Sequence, residues 1–351
     1  MANKSAAAGE HAYKKIDKDV RNNNIKNLLL LFGREEFLIH WAVDMLVKRY
    51  VNEACRDMDF SRIDGASATF EKIRNDCETL PFLSERRVVL VSDFKLMEEG
   101  KMKGFDEAEE RRLIDYLKHI PEYCLLIITS GSVDKRKRIF KAIAEAGGVY
   151  EFGELDEKSL KAYIEKRFRE AGKTANPSVV AGLIAASGYY DKDTDYTLYN
   201  LENDIKKAVA YNEGPDISME AVEKTLSGNM DTDVFAMIDS LGRGRKEEAY
   251  RILHNLLVSG EQVYRLLALL CSHFEIILSV KEMKEEGKSF SEMKDILGIH
   301  EFWIKKAAAF AEKHSVARLR RILQESYEID KSIKTGLLEP SLALELFIAE
   351  I

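Results

Sequence analysis

Residues 28–39 read LLLLFGREEFLI, and this stretch decides the fold of the first part of the chain. Leu28–Phe32 is a continuous apolar run that stops at Gly33, which is typical of a parallel strand buried on both faces. The apolar spacing over Glu35–Tyr50 predicts a helix that packs beside the strand. A buried strand that turns directly into a helix is the repeating unit of a parallel α/β sheet.

The alternation of strand and helix continues to residue 152, which predicts a parallel α/β domain. Further strands are predicted at Phe60–Asp64, Arg87–Ser92, Tyr123–Ser130 and Val149–Phe152. Helices are predicted at Tyr13–Asn24, Ala68–Leu80, Ala108–His119 and Arg138–Ala146.

After Phe152 the strand pattern stops, and every following segment has helical spacing. The predicted helices are Glu157–Ala171, Pro177–Ser187, Tyr196–Tyr211, Pro215–Gly228, Thr232–Leu241, Arg245–Ser259, Gln262–Glu286, Ser289–Leu297, Glu301–Lys313, Val316–Ile333 and Ser341–Ile351. We therefore expect a tail at 1–12, an α/β domain at 13–155, a small helical domain at 156–229 and an all-α bundle at 230–351.

Composition predicts a soluble, helix-rich protein. The 351 residues are 46% hydrophobic and 32% charged, with only five prolines, which favours folded cores over disorder. The net charge of −7 argues against a protein whose main task is to coat nucleic acid, although a local basic groove stays possible.

The chain lacks the sequence marks of a metal site, a membrane span or a secretion signal. Its four cysteines form no CxxC pair and its seven histidines have no metal-ligand spacing, so no metal and no cofactor are predicted. No apolar run reaches about 18 residues and the N-terminus lacks an apolar signal core. Free cysteines in apolar stretches fit a reducing compartment, so we expect a cytoplasmic protein.

The turn after the first strand lacks the residues of a phosphate loop. A working ATPase of this type runs from its first strand into GxxxxGK[ST], whose backbone amides, lysine and hydroxyl hold the phosphates and Mg²⁺. Here the turn has one glycine and two carboxylates, Glu35 and Glu36, which would repel a triphosphate. After the next buried strand only Asp93 is acidic, and residues 194–197 offer no arginine to sense a phosphate.

Residues 330–340 read DKSIKTGLLEP and predict a corner between two helices. Gly336 can end one helix without a Cβ penalty, and Pro340 suits the first turn of the next. The apolar side chains of Ile333, Leu337 and Leu338 are predicted to pack the turn against a hydrophobic core. The polar pair Lys334–Thr335 in so apolar a corner has no evident local reason.

Two further segments attract attention. Leu80–Leu83, reading LPFL, forms a compact apolar corner before a strand, because Pro81 disfavours helical geometry in the residue before it. It either packs on its own core or serves as an interface anchor. Asp134–Arg138, reading DKRKR, carries four consecutive cations that cannot face a core; it is either a solvated helix start or a contact surface.

Five stretches in a fixed order resemble the delta subunit of the bacterial DNA polymerase III clamp loader. They are LLLLFGREEFLI (28–39), LPFLSERRVVLV (80–91), VDKRKRIFKAI (133–143), DVFAMIDSL (233–241) and IKTGLLEP (333–340). The resemblance implies an AAA+-like α/β domain without a functional phosphate loop, a helical lid domain and a helical collar domain for oligomerisation. Residues 189–199 depart from the family's usual Gly-Asp-Leu-Arg turn, being rich in tyrosine and aspartate.

The resemblance also implies roles for particular residues. Leu80, Pro81, Phe82 and Leu83 would form a wedge that enters a pocket of the β sliding clamp. Asp134, Lys135, Arg136 and Lys137 would contact an adjacent subunit or DNA phosphates, and Lys334, Thr335 and Gly336 form the collar motif.

The implied function is a non-catalytic clamp-loader subunit that binds and opens the β sliding clamp. The implied partners are the clamp, the delta prime and tau/gamma subunits in a pentameric ring, and primer–template DNA through the complex; no membrane partner is predicted. Nucleotidyltransferase activity would reside in another subunit of the DNA polymerase III holoenzyme. Two alternatives stay open: a true AAA+ ATPase of another kind, and an AAA+-like helical scaffold with no replication role.

Overall fold

The computed structural model describes residues 10–98, 102, 105–191, 195–226, 230–299 and 301–351. The chain divides into two compact units. One comprises Met1–Glu157 with Thr197–Tyr199, and the other comprises Lys158–Tyr196 with Asn200–Ile351. The predicted division of the helical part near residue 229 stays a prediction, since residues 227–229 lie outside the described part of the chain.

The first unit is built on a five-stranded parallel sheet. Its strands are β1 (Leu28–Phe32), β2 (Phe60–Asp64), β3 (Arg87–Ser92), β4 (Cys124–Ser130) and β5 (Gly148–Glu151). They lie in the order β2-β3-β4-β1-β5, and all neighbours are parallel. Every residue of β1 is buried because helices cover both faces of the sheet, as its unbroken apolar run predicts.

Among the described residues, six α-helices accompany this sheet. They are α1 (Ala12–Arg21), α2 (Glu36–Tyr50), α3 (Arg56–Asp59), α4 (Phe70–Glu78), α5 (Glu107–Leu117) and α6 (Arg138–Ala146). The predicted α/β class is confirmed, and α3, a single turn before β2, was not predicted. The core beneath β1 includes Leu30, Ile73, Val89, Leu126 and Ile139, all fully buried.

Several of the predicted boundaries in this unit differ from the observed ones. α4 ends at Glu78, not at Leu80, and Thr79 is its C-cap. The tail predicted at 1–12 reaches too far, because Ala12 is buried in α1 and the His11 ring lies 3.0 Å from the carbonyl of Gly153. Residues 1–9 of that prediction lie outside the described residues.

The second unit is almost wholly helical. Its helices are α7 (Glu157–Glu170), α8 (Pro177–Ser187), α9 (Leu198–Tyr211), α10 (Met219–Thr225), α11 (Met230–Gly242), α12 (Lys246–Val258), α13 (Val263–Glu285), α14 (Phe290–Leu297), α15 (Glu301–Ala311), α16 (Val316–Lys334) and α17 (Pro340–Glu350). The first residues of α7 and α9 belong to the first unit. The prediction that strands stop at Phe152 was wrong in one detail. Two parallel two-residue strands, β6 (Thr174–Ala175) and β7 (Asp216–Ile217), pair between the helices and are too short for a periodic signal.

Helix α13 is the central element of this unit. It packs against α15 and α16, and Leu266, Leu270, Phe274 and Ile277 on one face are fully buried. Among the described residues it is the single helix with the length and hydropathy to cross a membrane, which is weak evidence because a core helix passes the same test. Its buried face indicates a core helix.

Candidate functional site

The corner at residues 80–83 exposes its apolar side chains. Leu80 is 68%, Phe82 64% and Leu83 65% exposed, while Pro81 is half-buried. These fractions rule out the interpretation that the corner packs on its own core. Exposed large apolar side chains close together in sequence indicate an interaction surface.

A buried carboxylate holds the backbone of this corner. The Oδ1 atom of Asp59 accepts the N–H of Phe82 at 2.6 Å, and its Oδ2 atom accepts those of Leu83 at 3.1 Å and Ser84 at 3.0 Å. Asp59 is fully buried and ends α3 directly before β2. Three consecutive amides that converge on one carboxylate form an anion-binding concavity of the chain itself.

The pKa of Asp59 reflects this arrangement. Burial on its own raises the pKa, but hydrogen bonds from Ser84 and from the backbone N–H groups of Phe82 and Leu83 outweigh it, so the pKa lies below its ordinary value. Asp59 is therefore ionised at neutral pH, and its bonds to the corner are charge-assisted.

Both ends of the corner are fixed to the sheet unit. On the entry side, the Thr79 hydroxyl donates to the carbonyl of Asn75 at 2.8 Å. On the exit side, the Ser84 hydroxyl accepts the N–H of Asn52 at 2.9 Å, and Glu85 forms an ion pair with Arg49 at 2.7 Å. The corner is thus an exposed apolar surface on a constrained backbone.

The basic segment after β4 is largely paired with its own neighbours. Asp134 accepts two hydrogen bonds of 2.9 Å from the guanidinium of Arg136, which holds the pKa of that carboxyl at about 2. Lys135 pairs with Glu151 at 2.7 Å, and Lys137 donates to the carbonyl of Leu96 at 2.8 Å. Arg136 nevertheless stands out, since its side chain is 91% exposed.

The corner at 333–340 has a helix-ending geometry that explains its polar pair. Gly336 lies at φ +74°, the N–H of Leu337 bonds the carbonyl of Ser332 at 2.9 Å, and that of Gly336 bonds Ile333, which is a Schellman motif. The Thr335 hydroxyl donates to the carbonyl of Lys331 at 2.8 Å.

The remaining side chains of this corner divide between core and surface. Lys334 bonds Asp330 at 2.6 Å. Ile333 is buried and Leu338 half-buried, but the expectation that Leu337 seals the turn was wrong, because it is 77% exposed. Glu339 caps α17 through the N–H of Leu342 at 2.8 Å.

A second buried carboxylate lies where a phosphate loop would hold a nucleotide. Glu35 is fully buried at the start of α2, and its Oε2 atom accepts the N–H of Leu198 at 3.0 Å. Gly33, at φ +130°, permits this turn, since a Cβ there would lie 2.4 Å from the carbonyl oxygen of Phe152. Glu36, by contrast, has a side chain that is 67% exposed, so only one of the two carboxylates points inward.

The segment Thr197–Tyr199 packs over this turn within the first unit. The ring of Tyr199 meets that of Phe37 edge-on at 5.4 Å, and its hydroxyl bonds the His40 ring. Protein groups therefore occupy the start of α2.

A cavity of ≈ 740 Å³ opens beside this turn at the carboxyl edge of the sheet. Its lining combines Arg34 and Arg62 with Glu36, Asp64 and Asp93. Open α/β sheets bind ligands at this edge, but a lining of mixed charge is a poor match for a triphosphate. Across the described ranges, no group of three or more His, Cys, Asp or Glu side chains is placed to hold a metal ion.

Sequence reasoning missed Asp59 altogether and saw Glu35 only as a group that repels phosphate. The hydrogen-bond partners of Asp59 lie 23 to 25 residues away along the chain, and the partner of Glu35 lies 163 residues away. The local sequence around a single acidic residue at the end of a strand or helix does not reveal a partner so far along the chain.

The comparisons with known proteins agree along most of the chain. A family model described as "DNA polymerase III, delta subunit" matches residues 29–152, and one described as "DNA polymerase III delta subunit, C-terminal domain" matches residues 231–351. The chain is 23% identical to DNA polymerase III subunit delta of Bacillus subtilis over 95% of both chains. It is 20% identical to the probable DNA polymerase III subunit delta of Aquifex aeolicus over 87% of this chain and 85% of that one.

Among solved structures, the Bacillus subtilis DNA clamp loader delta protein is similar with a TM-score of 0.50 and 22% identity, over 96% of this chain and 98% of that one. This similarity shows a shared fold, a five-stranded parallel sheet flanked by helices and followed by a largely helical region. The two family models together match more than two thirds of the residues. The chain therefore belongs to the DNA polymerase III delta subunit family, whose members are accessory subunits of a replicative polymerase, and its role lies in DNA replication.

Proposed function

We propose that this chain binds the β sliding clamp through Leu80, Pro81, Phe82 and Leu83 and opens it for loading on primed DNA. The observation that carries the proposal is the exposure of three large apolar side chains on a constrained corner. A few apolar or aromatic anchors that enter a pocket can supply most of the free energy of an interface. Family membership makes a clamp the natural partner.

The free energy that opens the clamp comes from binding and not from chemistry in this chain. A ligand shifts a two-state equilibrium by its difference in affinity for the two states. A wedge that fits the open clamp better than the closed one therefore favours opening without hydrolysis. We propose that ATP binding by partner subunits controls access to the wedge.

The chain itself is proposed to lack catalysis and nucleotide binding. Residues 33–38 contain no Lys-Ser/Thr pair, and Glu35 lies buried where phosphates would bind. A buried carboxylate at the start of a helix competes with a bound anion for the same positive end of the helix dipole. This disfavours the alternative of an independent ATPase.

The helical part is proposed to join the delta prime and tau/gamma subunits in a pentameric ring. Leu337 projects from the corner behind Gly336, and Leu342 and Leu346, one turn apart on α17, are 47% and 43% exposed. Exposed leucines at such spacing suit a protein contact. We propose a cytoplasmic location for the assembly, and DNA is reached through it.

The segment Asp134–Lys137 is proposed to contact a neighbouring subunit. Because Asp134 already neutralises Arg136, a DNA phosphate would gain less from this guanidinium than from a free one. The paired, flat and exposed guanidinium suits a defined protein contact better than a phosphate contact.

Calorimetric titration against the cognate sliding clamp tests the function. We expect Phe82→Ala/Leu83→Ala to bind at least about 30-fold more weakly, which corresponds to about 2 kcal/mol for the loss of interface anchors. Leu337→Ala/Leu342→Ala is the matched control, since it removes two exposed leucines from the second unit.

The outcomes separate the alternatives. Unchanged binding in the Phe82→Ala/Leu83→Ala variant would move the contact elsewhere on the chain. Absence of clamp binding by the unaltered protein would favour the scaffold without a clamp-opening role.

A further inference from the structure

We propose that Asp59 is a positioning residue that sets the shape of the 80–83 corner before any partner arrives. The inference rests on the proposed function for its consequence in clamp binding, but the geometry stands by itself. Asp59 is fully buried, and it accepts the backbone N–H groups of Phe82, Leu83 and Ser84 together with a hydrogen bond from the Ser84 side chain. It therefore acts through other residues and not by contact with a partner.

The corner needs such an anchor because its side chains do not supply one. Leu80, Phe82 and Leu83 are each about two-thirds exposed, so burial of their apolar surface contributes little to fixing the loop. Pro81 has no N–H and constrains only its own φ. The three N–H groups that follow it all point to the Asp59 carboxylate.

A carboxylate is the group that suits this place. It has two oxygens and accepts several hydrogen bonds, whereas an asparagine offers one acceptor oxygen and turns two donors toward the same amides. The buried charge in turn requires all of these partners. Anchor and corner therefore stabilise each other.

The consequence for binding is a smaller entropy cost. A flexible corner loses conformational entropy when it is ordered in a pocket. A corner that is already ordered in the free protein avoids this loss. We expect Asp59→Ala to weaken clamp binding by about tenfold although every side chain of the wedge is still present.

The first experiment concerns the free protein and needs no clamp. Hydrogen-exchange mass spectrometry follows a peptide that covers residues 80–86 in the unaltered protein, Asp59→Ala and Asp57→Ala. Asp57 lies in the same short helix but is exposed, so its variant is the matched control. We expect exchange in this peptide to be at least about tenfold faster in Asp59→Ala alone, with the peptide of β4 unchanged.

The second experiment is a double-mutant cycle measured by calorimetry with the cognate clamp. Asp59→Ala is combined with Phe82→Ala/Leu83→Ala. If Asp59 acts by shaping the wedge, Asp59→Ala lowers the clamp affinity about tenfold when Phe82 and Leu83 are present. In the Phe82→Ala/Leu83→Ala background it lowers the affinity less than twofold. If Asp59 only supported the fold, its substitution would lower the clamp affinity by the same factor with and without Phe82 and Leu83, and this result would overturn the inference.

The outcomes distinguish this inference from the proposed function. Unchanged exchange in Asp59→Ala overturns the inference whatever the clamp does. Faster exchange, with tight clamp binding equal to that of the unaltered protein, also overturns it and leaves the clamp contact standing. Faster exchange in a protein that never binds the clamp supports the positioning role and refutes the function. If Asp59→Ala does not fold, Asp59→Asn, which keeps the volume and one acceptor, takes its place in both experiments.

Discussion

Two buried carboxylates in the same α/β unit hold backbone N–H groups to opposite effect. Asp59 holds three amides of a corner whose side chains face solvent, and Glu35 holds the amide of Leu198 beneath packed aromatic rings. One carboxylate shapes an exposed surface, and the other fills the place of a phosphate. The same interaction thus shapes an exposed surface at one site and a buried turn at the other.

The comparison yields a simple expectation. Changes at the Glu35 turn should lower the stability of the fold and leave the apolar corner intact. Changes at the 80–83 corner should alter partner binding and leave the fold intact.

Gly33→Ala should lower the free energy of unfolding by about 3 kcal/mol, because φ +130° strains an L-residue and the new Cβ meets the Phe152 carbonyl oxygen at 2.4 Å. Urea unfolding measures the effect. Gly153→Ala is the control, since a Cβ there meets nothing within 4 Å. Equal stability of the two variants would mean that the turn at Glu35 is not held as described.

Glu35→Ala should lower the free energy of unfolding by about 1–3 kcal/mol, because it leaves the buried N–H of Leu198 without its acceptor. The adjacent Glu36→Ala should change stability by less than about 0.5 kcal/mol, since its side chain is exposed. Thermal unfolding of both variants tests the difference. If instead the clamp affinity of Glu35→Ala falls while its stability holds, the division between the two carboxylates breaks down.

The Asp59 anchor should make stability depend on pH in the acid range. Because the folded pKa lies below the ordinary aspartate value of about 3.9, the stabilisation is complete above that value and is lost as the pH falls through the folded pKa. Urea unfolding at several pH values below about 5 should show a steeper loss in the unaltered protein than in Asp59→Asn. If stability fell with pH equally in the two proteins, the ionised Asp59 would not stabilise the corner as described.

Phe82→Ala/Leu83→Ala should change the free energy of unfolding by less than about 1 kcal/mol in total, because both side chains are about two-thirds exposed. Near-neutral stability together with a loss of clamp binding would separate the role of this corner from that of the Glu35 turn. Circular dichroism and urea unfolding provide the measurement. A large loss of stability would show that the corner supports the fold after all.

Much of the fold could be predicted from the sequence, and particular elements show why. The bounds of β1, β2 and β3 match the prediction. In β1 and β3 a nearly unbroken run of buried apolar residues marks the strand, whereas Ile63 is the one buried residue of β2. α4 was predicted too long, since the apolar pattern continues into the exposed Leu80, while the Thr79 cap ends the helix earlier. The two-residue strands β6 and β7 have no periodicity to detect.

The candidate site was predictable only in part. Composition and the break at Pro81 pointed to Leu80–Leu83, but the same residues would have suited a core corner, and only the packing separates the two. Asp59 could not be found, because its partners depend on how α3 is placed beside the start of β3. Thr335 had no evident role until its hydroxyl was seen to end α16.

A corner held through its main chain leaves its side chains free to change. Asp59 contacts amide groups that any residue except proline would have at positions 82–84, so other residues at positions 80, 82 and 83 would keep the same backbone path. Such a position can adapt to a diverging partner by single substitutions without a loss of folding. The same property makes this corner a scaffold on which a short peptide motif could be displayed to redirect the protein to a chosen pocket.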